Sequence, residues 1–238
     1  MVVMYRERPS SAHPGVTVWT RGTGKTPDQP ARILPDGCLD LIWTDGALLV
    51  AGPDTHAHVV LDRPDSYFAG LRFAPGTGPL LLGIPASELR DQRVPLAAIW
   101  NAPDVRRLEE HIAAAGESTE AAAAVLEHEG VTRLRAAGRP DPVTRAVTRG
   151  LACGTSVAET ARVVGLSDRQ LLRRSLAAYG YGPKTLARIL RFTRALDLAR
   201  AGTDFASVAA ATGYSDQAHL ARDVRGLAGV SLTALLSA

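Results

Sequence analysis

The sequence predicts an α+β protein: a small β-rich N-terminal domain, barrel- or sandwich-like, followed by an all-α domain of two helix-turn-helix units. Three observations carry this. Strand and turn signals crowd the first hundred residues, and from Ser118 onward the chain reads as helix. A turn-plus-polar-helix segment also occurs twice, as "GLSDRQLLRRSLAA" (Gly165–Ala178) and "GYSDQAHLARDVRG" (Gly213–Gly226), with the same Gly-x-Ser-Asp opening 48 positions apart.

The strands come first. "VTVWT" (Val16–Thr20) alternates apolar and polar residues, and "CLDLIWT" (Cys38–Thr44) and "ALLVAG" (Ala47–Gly52) are largely apolar. Asp45-Gly46 between the last two is a strong short-range hairpin signal. "HAHVVL" and "YFAGLRF" read as two further strands, set off by Pro, Gly and Asp. Helical pieces around "SELRDQ" and from Asp104 to about Ala115 close this part, which gives residues 1–115 as a β-rich domain.

The helices follow. "STEAAAAVLEHE" is rich in helix formers, so 116–140 reads as a helical linker and dimerisation region; the best dimerisation candidate runs from about Asp104 to Ala137, with a purely structural spacer as the alternative. "GRPDPV" marks the junction, where Asp141 can cap a helix with Pro142 at its first position. Within 141–238 the punctuation is clear. Ser156-x-x-Glu159 and Ser167-x-x-Gln170 are capping-box patterns. Gly165 ends the first helix of a helix–turn–helix pair, and the small Ala161 lets its two helices cross closely. The layout returns with Asp204 as cap, Ala209 and Gly213 as the equivalents of Ala161 and Gly165, and Ser215 opening the next helix. One long helix, from about Pro183 to Ala201, joins the units. Leu186, Ile189, Leu190, Ala195, Leu196 and Leu198 form its apolar side, and Lys184, Arg188, Arg191 and Arg194 its polar side.

Composition narrows the function. With 46% apolar and 21% charged residues in 238, the chain is soluble and globular, and it holds no apolar run long enough to span a membrane. The N-terminus lacks the pattern of a secretory signal. Cys38 and Cys153 are too few for a disulfide framework or a zinc site, which points to a reducing cytoplasm. The net charge of +3 hides an asymmetry: 139–238 carries +7 and 1–138 carries −4. A basic part built on a repeat suits a polyanion whose surface repeats on a fixed pitch, and duplex DNA is such a partner.

From about Asp141 to Ala238 the chain resembles the DNA-binding domain of the AraC/XylS family of transcription regulators. The residues that carry the resemblance are "SVAETARVVGLSDRQLLRR", "YGYGPKTLARILRFTRALDLA" and "FASVAAATGYSDQAHLARDVRGLAGVS". Ser175 stands where an aromatic is usual and Leu232 where proline is usual. The resemblance implies seven helices, with two recognition helices in successive major-groove segments. Arg169, Leu172 and Arg173, with Gln170 adjacent, match groove-facing positions in the first unit, and Gln217, Ala218, His219, Ala221 and Arg222 match in the second. Arg suits guanine and Gln suits adenine. Lys184, Arg188 and Arg191 are expected on phosphates, which position the protein without specifying sequence. The implied partners are double-stranded DNA, a small-molecule effector, a second subunit, and RNA polymerase in the case of an activator.

The N-terminal half is less legible. "ILPDGCLDLIW" and "GLRFAPGTGPLLLGIPASELRDQRVPLAAIW" resemble segments of AraC-like regulators with a variable sensor domain. Trp19, Cys38, Trp43 and Phe73 are candidates for a ligand pocket, with Phe68 and Trp100 as further large side chains; plain core is the alternative reading of each. Cys38 reads as a small buried hydrophobe. His56-x-His58 places two imidazoles on one strand face, but without a third ligand no metal site is expected, nor any cofactor. No catalytic triad, P-loop or dinucleotide pattern is present. Two other classes compete with a regulator. A DNA-repair methyl acceptor would need a cysteine cluster or a Pro-Cys-His-Arg motif, which the two cysteines do not supply. A non-specific architectural binder would not need such polar recognition helices.

Overall fold

The computed structural model describes residues 4–24, 30–116, 118–139 and 141–237. Among the described residues eight strands precede most of the helices: β1 (Met4–Pro9), β2 (Val16–Gly22), β3 (Ala31–Ile33), β4 (Leu39–Thr44), β5 (Ala47–Ala51), β6 (His58–Val60), β7 (Tyr67–Phe73) and β8 (Arg93–Pro95). Six of them form one sheet in the order β1-β2-β7-β4-β5-β8, every pair antiparallel. β3 and β6 pair separately as a two-stranded ribbon. The sheet is open, so the barrel expectation does not hold, while the β-rich domain followed by helices is as expected. Helices cover one of its faces. Asp45 and Gly46 both take positive φ, 46° and 78°, as the expected two-residue hairpin turn requires.

Strand alternation fixes which face is covered. Val16, Val18, Leu39, Leu41, Leu48, Val50, Ala69, Leu71 and Phe73 point to one side and are buried. Onto them pack α1 (Gly78–Leu82), α2 (Ala102–Ala114) and α3 (Thr119–Ala137). Asn101 caps α2 by accepting from the Asp104 amide. The segment expected as a linker is thus a core helix: Ala122, Ala123, Leu126 and Leu134 of α3 join the sheet's core. Gly130 makes the approach possible, because a Cβ there would lie 2.5 Å from Leu71 Cδ1.

The rest of the chain is α4 (Pro142–Ala152), α5 (Val157–Val163), α6 (Asp168–Tyr179), α7 (Pro183–Arg200), α8 (Phe205–Thr212), α9 (Gln217–Ala228) and α10 (Leu232–Leu236), seven helices among the described residues. Asp141, Ser156, Ser167 and Asp204 cap the helices assigned to them. The box at Ser167 is complete. Glu159, the partner expected to complete the one at Ser156, pairs with Arg162. α7 runs through the core with Leu186, Ile189, Phe192, Ala195, Leu196 and Ala199 buried, while Leu190 and Leu198 are half-buried. None of the described helices is long and apolar enough to cross a membrane.

Candidate nucleic-acid interface

Each helix–turn–helix unit closes on an alanine and a left-handed glycine. Ala161 and Ala209 are buried where α5 meets α6 and α8 meets α9, and Gly165 and Gly213 turn the chain at φ 68° and 79°. The second cap differs from expectation by one residue. Asp216, not Ser215, caps α9 by accepting from the His219 amide. The turns therefore repeat at 48 residues but the helices at 49: Leu171 and Leu220 are the equivalent buried residues, as are Ser175 and Val224.

On that register Arg173 and Arg222 occupy matching places, and both are exposed. Arg169, Gln170 and Leu172 share the outer side of α6, and Gln217, Ala218 and Ala221 that of α9. Gln170 is partly engaged: its Oε1 accepts from the Ser167 amide and hydroxyl, both at 2.9 Å. His219 is half-buried, edge-on to Tyr214 with ring centroids 5.1 Å apart. Its Nδ1 accepts from the Ser215 amide at 3.4 Å rather than donating to a carbonyl, which leaves Nε2–H as the donor of the neutral ring.

The polar side of α7 does more structural work than expected. Asp223 of α9 is 92% buried and accepts from Arg188 and, at 3.2 Å, from Arg191, while Tyr214 Oη donates to it at 2.9 Å. Burial raises the Asp223 pKa, but the hydrogen bonds from Arg188, Tyr214 and Arg191 outweigh it and hold the carboxyl below its usual range. Arg191 also stacks on the Tyr214 ring at 4.2 Å. Arg194 donates to Ala152 O and Ala211 O, near the C-terminal ends of α4 and α8. Of the three candidate phosphate contacts, Lys184 is exposed, while Arg188 and Arg191 reach solvent from within the Asp223 cluster. Asp223 was invisible to sequence reasoning, and its signal is a lone acid beside Val224 on the inner stripe of a basic helix.

The N-terminal ligand candidates do not come together. Phe73 and Trp43 lie on the helix-covered face, and Phe73 is fully buried in its core. Trp19 lies on the opposite face, directly over Gly70, where any Cβ would sit 2.3 Å from the indole. There Trp19 Nε1 donates to Asp40 Oδ1 at 2.7 Å, and Arg72 Nε bonds the same oxygen at 3.2 Å. Burial raises Asp40 to about 6, against the opposing Arg72 charge. Cys38 sits just before β4, its thiol pushed up by burial and by Asp36 and Asp40. His56 Nδ1 faces Asp91 at 3.7 Å. Among the described residues no group of three or more His, Cys, Asp or Glu is placed to hold a metal ion.

Residues 160–238 match the family described as a helix-turn-helix domain, and 16–95 match a domain of unknown function (DUF6597). The C-terminal domain is an AraC-type helix-turn-helix domain. The match runs from within α5 through α6, the joining helix and the second unit. The fold of the whole chain is similar to that of ToxT from Vibrio cholerae. The similar structures include an apo form of a ToxT variant (11% identity, TM-score 0.50), ToxT in a second crystal form (10%, 0.50), and ToxT bound to (E)-4-(8-methylnaphthalen-1-yl)but-3-enoic acid (10%, 0.51). Each alignment covers 94% of this chain and 98% of ToxT. At such identities the likeness is one of fold. A comparison with curated proteins finds no match.

Proposed function

We propose that the protein is a sequence-specific transcription regulator that reads duplex DNA through α6 and α9 and is modulated by a small molecule held by its N-terminal domain. The observation that carries the first part is the matched pair Arg173 and Arg222, exposed at equivalent places on two helices whose inner faces are locked into one core. Arg169 and Gln217 extend the reading surface, with Gln170, Leu172, Ala218, His219 and Ala221 beside them. Lys184 anchors phosphate, and Arg188 and Arg191 add positive potential from behind α9. No catalysis is assigned, and the place of action is the cytoplasm.

The second part rests on different support. The sheet face away from the helices carries Trp19, Ile42 and Phe68, with the Arg21 guanidinium 4.6 Å over the Phe68 ring, an apolar surface with a cation beside it that suits a small amphipathic molecule. ToxT, similar in fold, binds an aryl butenoic acid. A second copy of the chain is proposed to dock along α2 and α3, where His111, Ala115, Ala121, Ala124, Val125, His128 and Glu129 line a shallow groove.

Selection of DNA from a random pool by the full chain tests the reading. The expected product is a two-part site whose halves lie about one duplex turn, ~34 Å, apart. A pool without enriched sequence, with binding that depends only on salt, would favour an architectural binder and overturn it. A ligand screen on the enriched site, and sedimentation of the full chain at micromolar concentrations, test the effector and the dimer.

A further inference from the structure

Both recognition helices end in a left-handed glycine, Gly180 at φ 82° and Gly229 at φ 74°, and the N-terminal domain closes on both ends. At α6 the contact is steric. A Cβ on Gly180 would lie 2.7 Å from Pro53 Cγ and 3.0 Å from Ala86 O, so glycine alone permits the approach. Tyr181, the next residue, is buried beside Gly37 of the loop before β4.

At α9 the contact is polar. The last carbonyls of a helix lack intrahelical partners. Arg32 of β3 donates from Nη1 to Ala228 O at 2.7 Å, and the Ala57 amide, just before β6, donates to Leu227 O at 2.7 Å. A guanidinium at a helix C-terminus also meets the negative end of its dipole. β3 and β6 are paired to each other, so one ribbon supplies both donors. Inside the DNA-binding domain the two helices are related through α7. The N-terminal domain is a second, independent brace, gripping α6 with Pro53 and the Ala86–Glu88 turn and α9 with the ribbon.

We propose that the N-terminal domain sets the distance between the two DNA-reading helices, and that Arg32 is a positioning residue determining which half-site spacing the protein accepts. This rests on the assignment of α6 and α9 as the readers. Arg32 is exposed and its hydrogen bond goes to the Ala228 backbone carbonyl at the end of α9, so it acts through the pose of that helix. Its loss should leave each helix's base preference intact and loosen the register between them.

The test uses the full chain and the two-part site enriched from a random pool. Affinities are measured for that site and for versions with one base pair added or removed between the halves. Wild type should lose about tenfold on either change, and Arg32→Ala only about threefold, with affinity for the unaltered site within about twofold, on the scale of one charged hydrogen bond. Arg32→Lys should recover part of the discrimination, and Arg106→Ala, an exposed charge on α2, should match wild type. Selectivity at single base pairs should be the same in all four proteins. An unchanged spacing profile in Arg32→Ala overturns the proposal, and so does a uniform change of affinity at every spacing. If no two-part site is enriched, the assignment of the reading helices falls first and takes this proposal with it.

Discussion

Asp223 of α9 accepts hydrogen bonds from Arg188 and Arg191 of α7, and this carboxylate adds a polar tie between two helices that also share one apolar core. Two arginines expected on phosphate thus also have a partner inside the protein. Asp223→Asn should lower stability by about 1–3 kcal/mol in urea unfolding, since a buried acceptor weakens and two guanidinium groups lose their counter-charge. The same carboxyl has a sign with pH. Its folded pKa lies below the unfolded one, so its contribution is complete above the unfolded value near ~4 and is lost as pH falls through the folded one. A variant as stable as wild type at neutral pH would remove the tie.

Asp40 predicts the opposite sign in another window. Its folded pKa is raised to about 6 by burial, so the folded state takes up a proton before the unfolded chain does. Its contribution is complete below the unfolded value near ~4 and declines as pH rises through about 6. Because Trp19 Nε1 bonds this carboxyl, tryptophan emission should change with a midpoint near 6, and Asp40→Asn should abolish the transition. Emission flat from pH 7 to 5 in wild type would contradict it.

Base reading and phosphate anchoring should separate by mutation. Arg173→Ala and Arg222→Ala should each cost about 1–3 kcal/mol on the selected site and relax selectivity at one or two base pairs. Lys184→Ala should weaken all sequences alike and reduce the salt slope by roughly one. Lys184 is the cleaner probe than Arg191, whose removal also disturbs Asp223 and Tyr214. A uniform loss in Arg173→Ala with selectivity intact would reassign the first helix.

Tyr181 gives a prediction for the domain interface. Its hydroxyl is buried among the described residues without a hydrogen-bond partner. Tyr181→Phe removes a desolvated polar atom and little else, so it should raise the unfolding midpoint by the equivalent of about 1 kcal/mol. A loss of stability of that size would mean the hydroxyl is satisfied in solution.

The helical domain was legible because its signals are local. Asp141, Ser156, Ser167 and Asp204 each cap through an amide two or three residues ahead, which a one-dimensional pattern contains. Ser215 misled because Asp216 beside it is an equally good cap. The β-rich part was legible as strands but not as a sheet: β7 inserts between β2 and β4, a pairing across more than twenty intervening residues. β1, "MYRERP", is an edge strand with charges along it, and its composition hides it. Arg32 and Gly180 matter only through residues far away in sequence, so nothing adjacent to them announces a role.

The change of repeat from 48 to 49 residues shows where this architecture tolerates a change of length. One residue added inside a helix advances everything beyond it by about 100° in angular phase. Placed within α9, it would swing Leu220 and Val224 outward or Arg222 inward, depending on which side of it stayed anchored. Placed between Gly213 and the cap, it leaves the phase untouched, because the helix starts one residue later. A duplicated helix–turn–helix unit can therefore drift in length at its turn while its buried and outward stripes stay in register, and the cap residue records where the drift occurred.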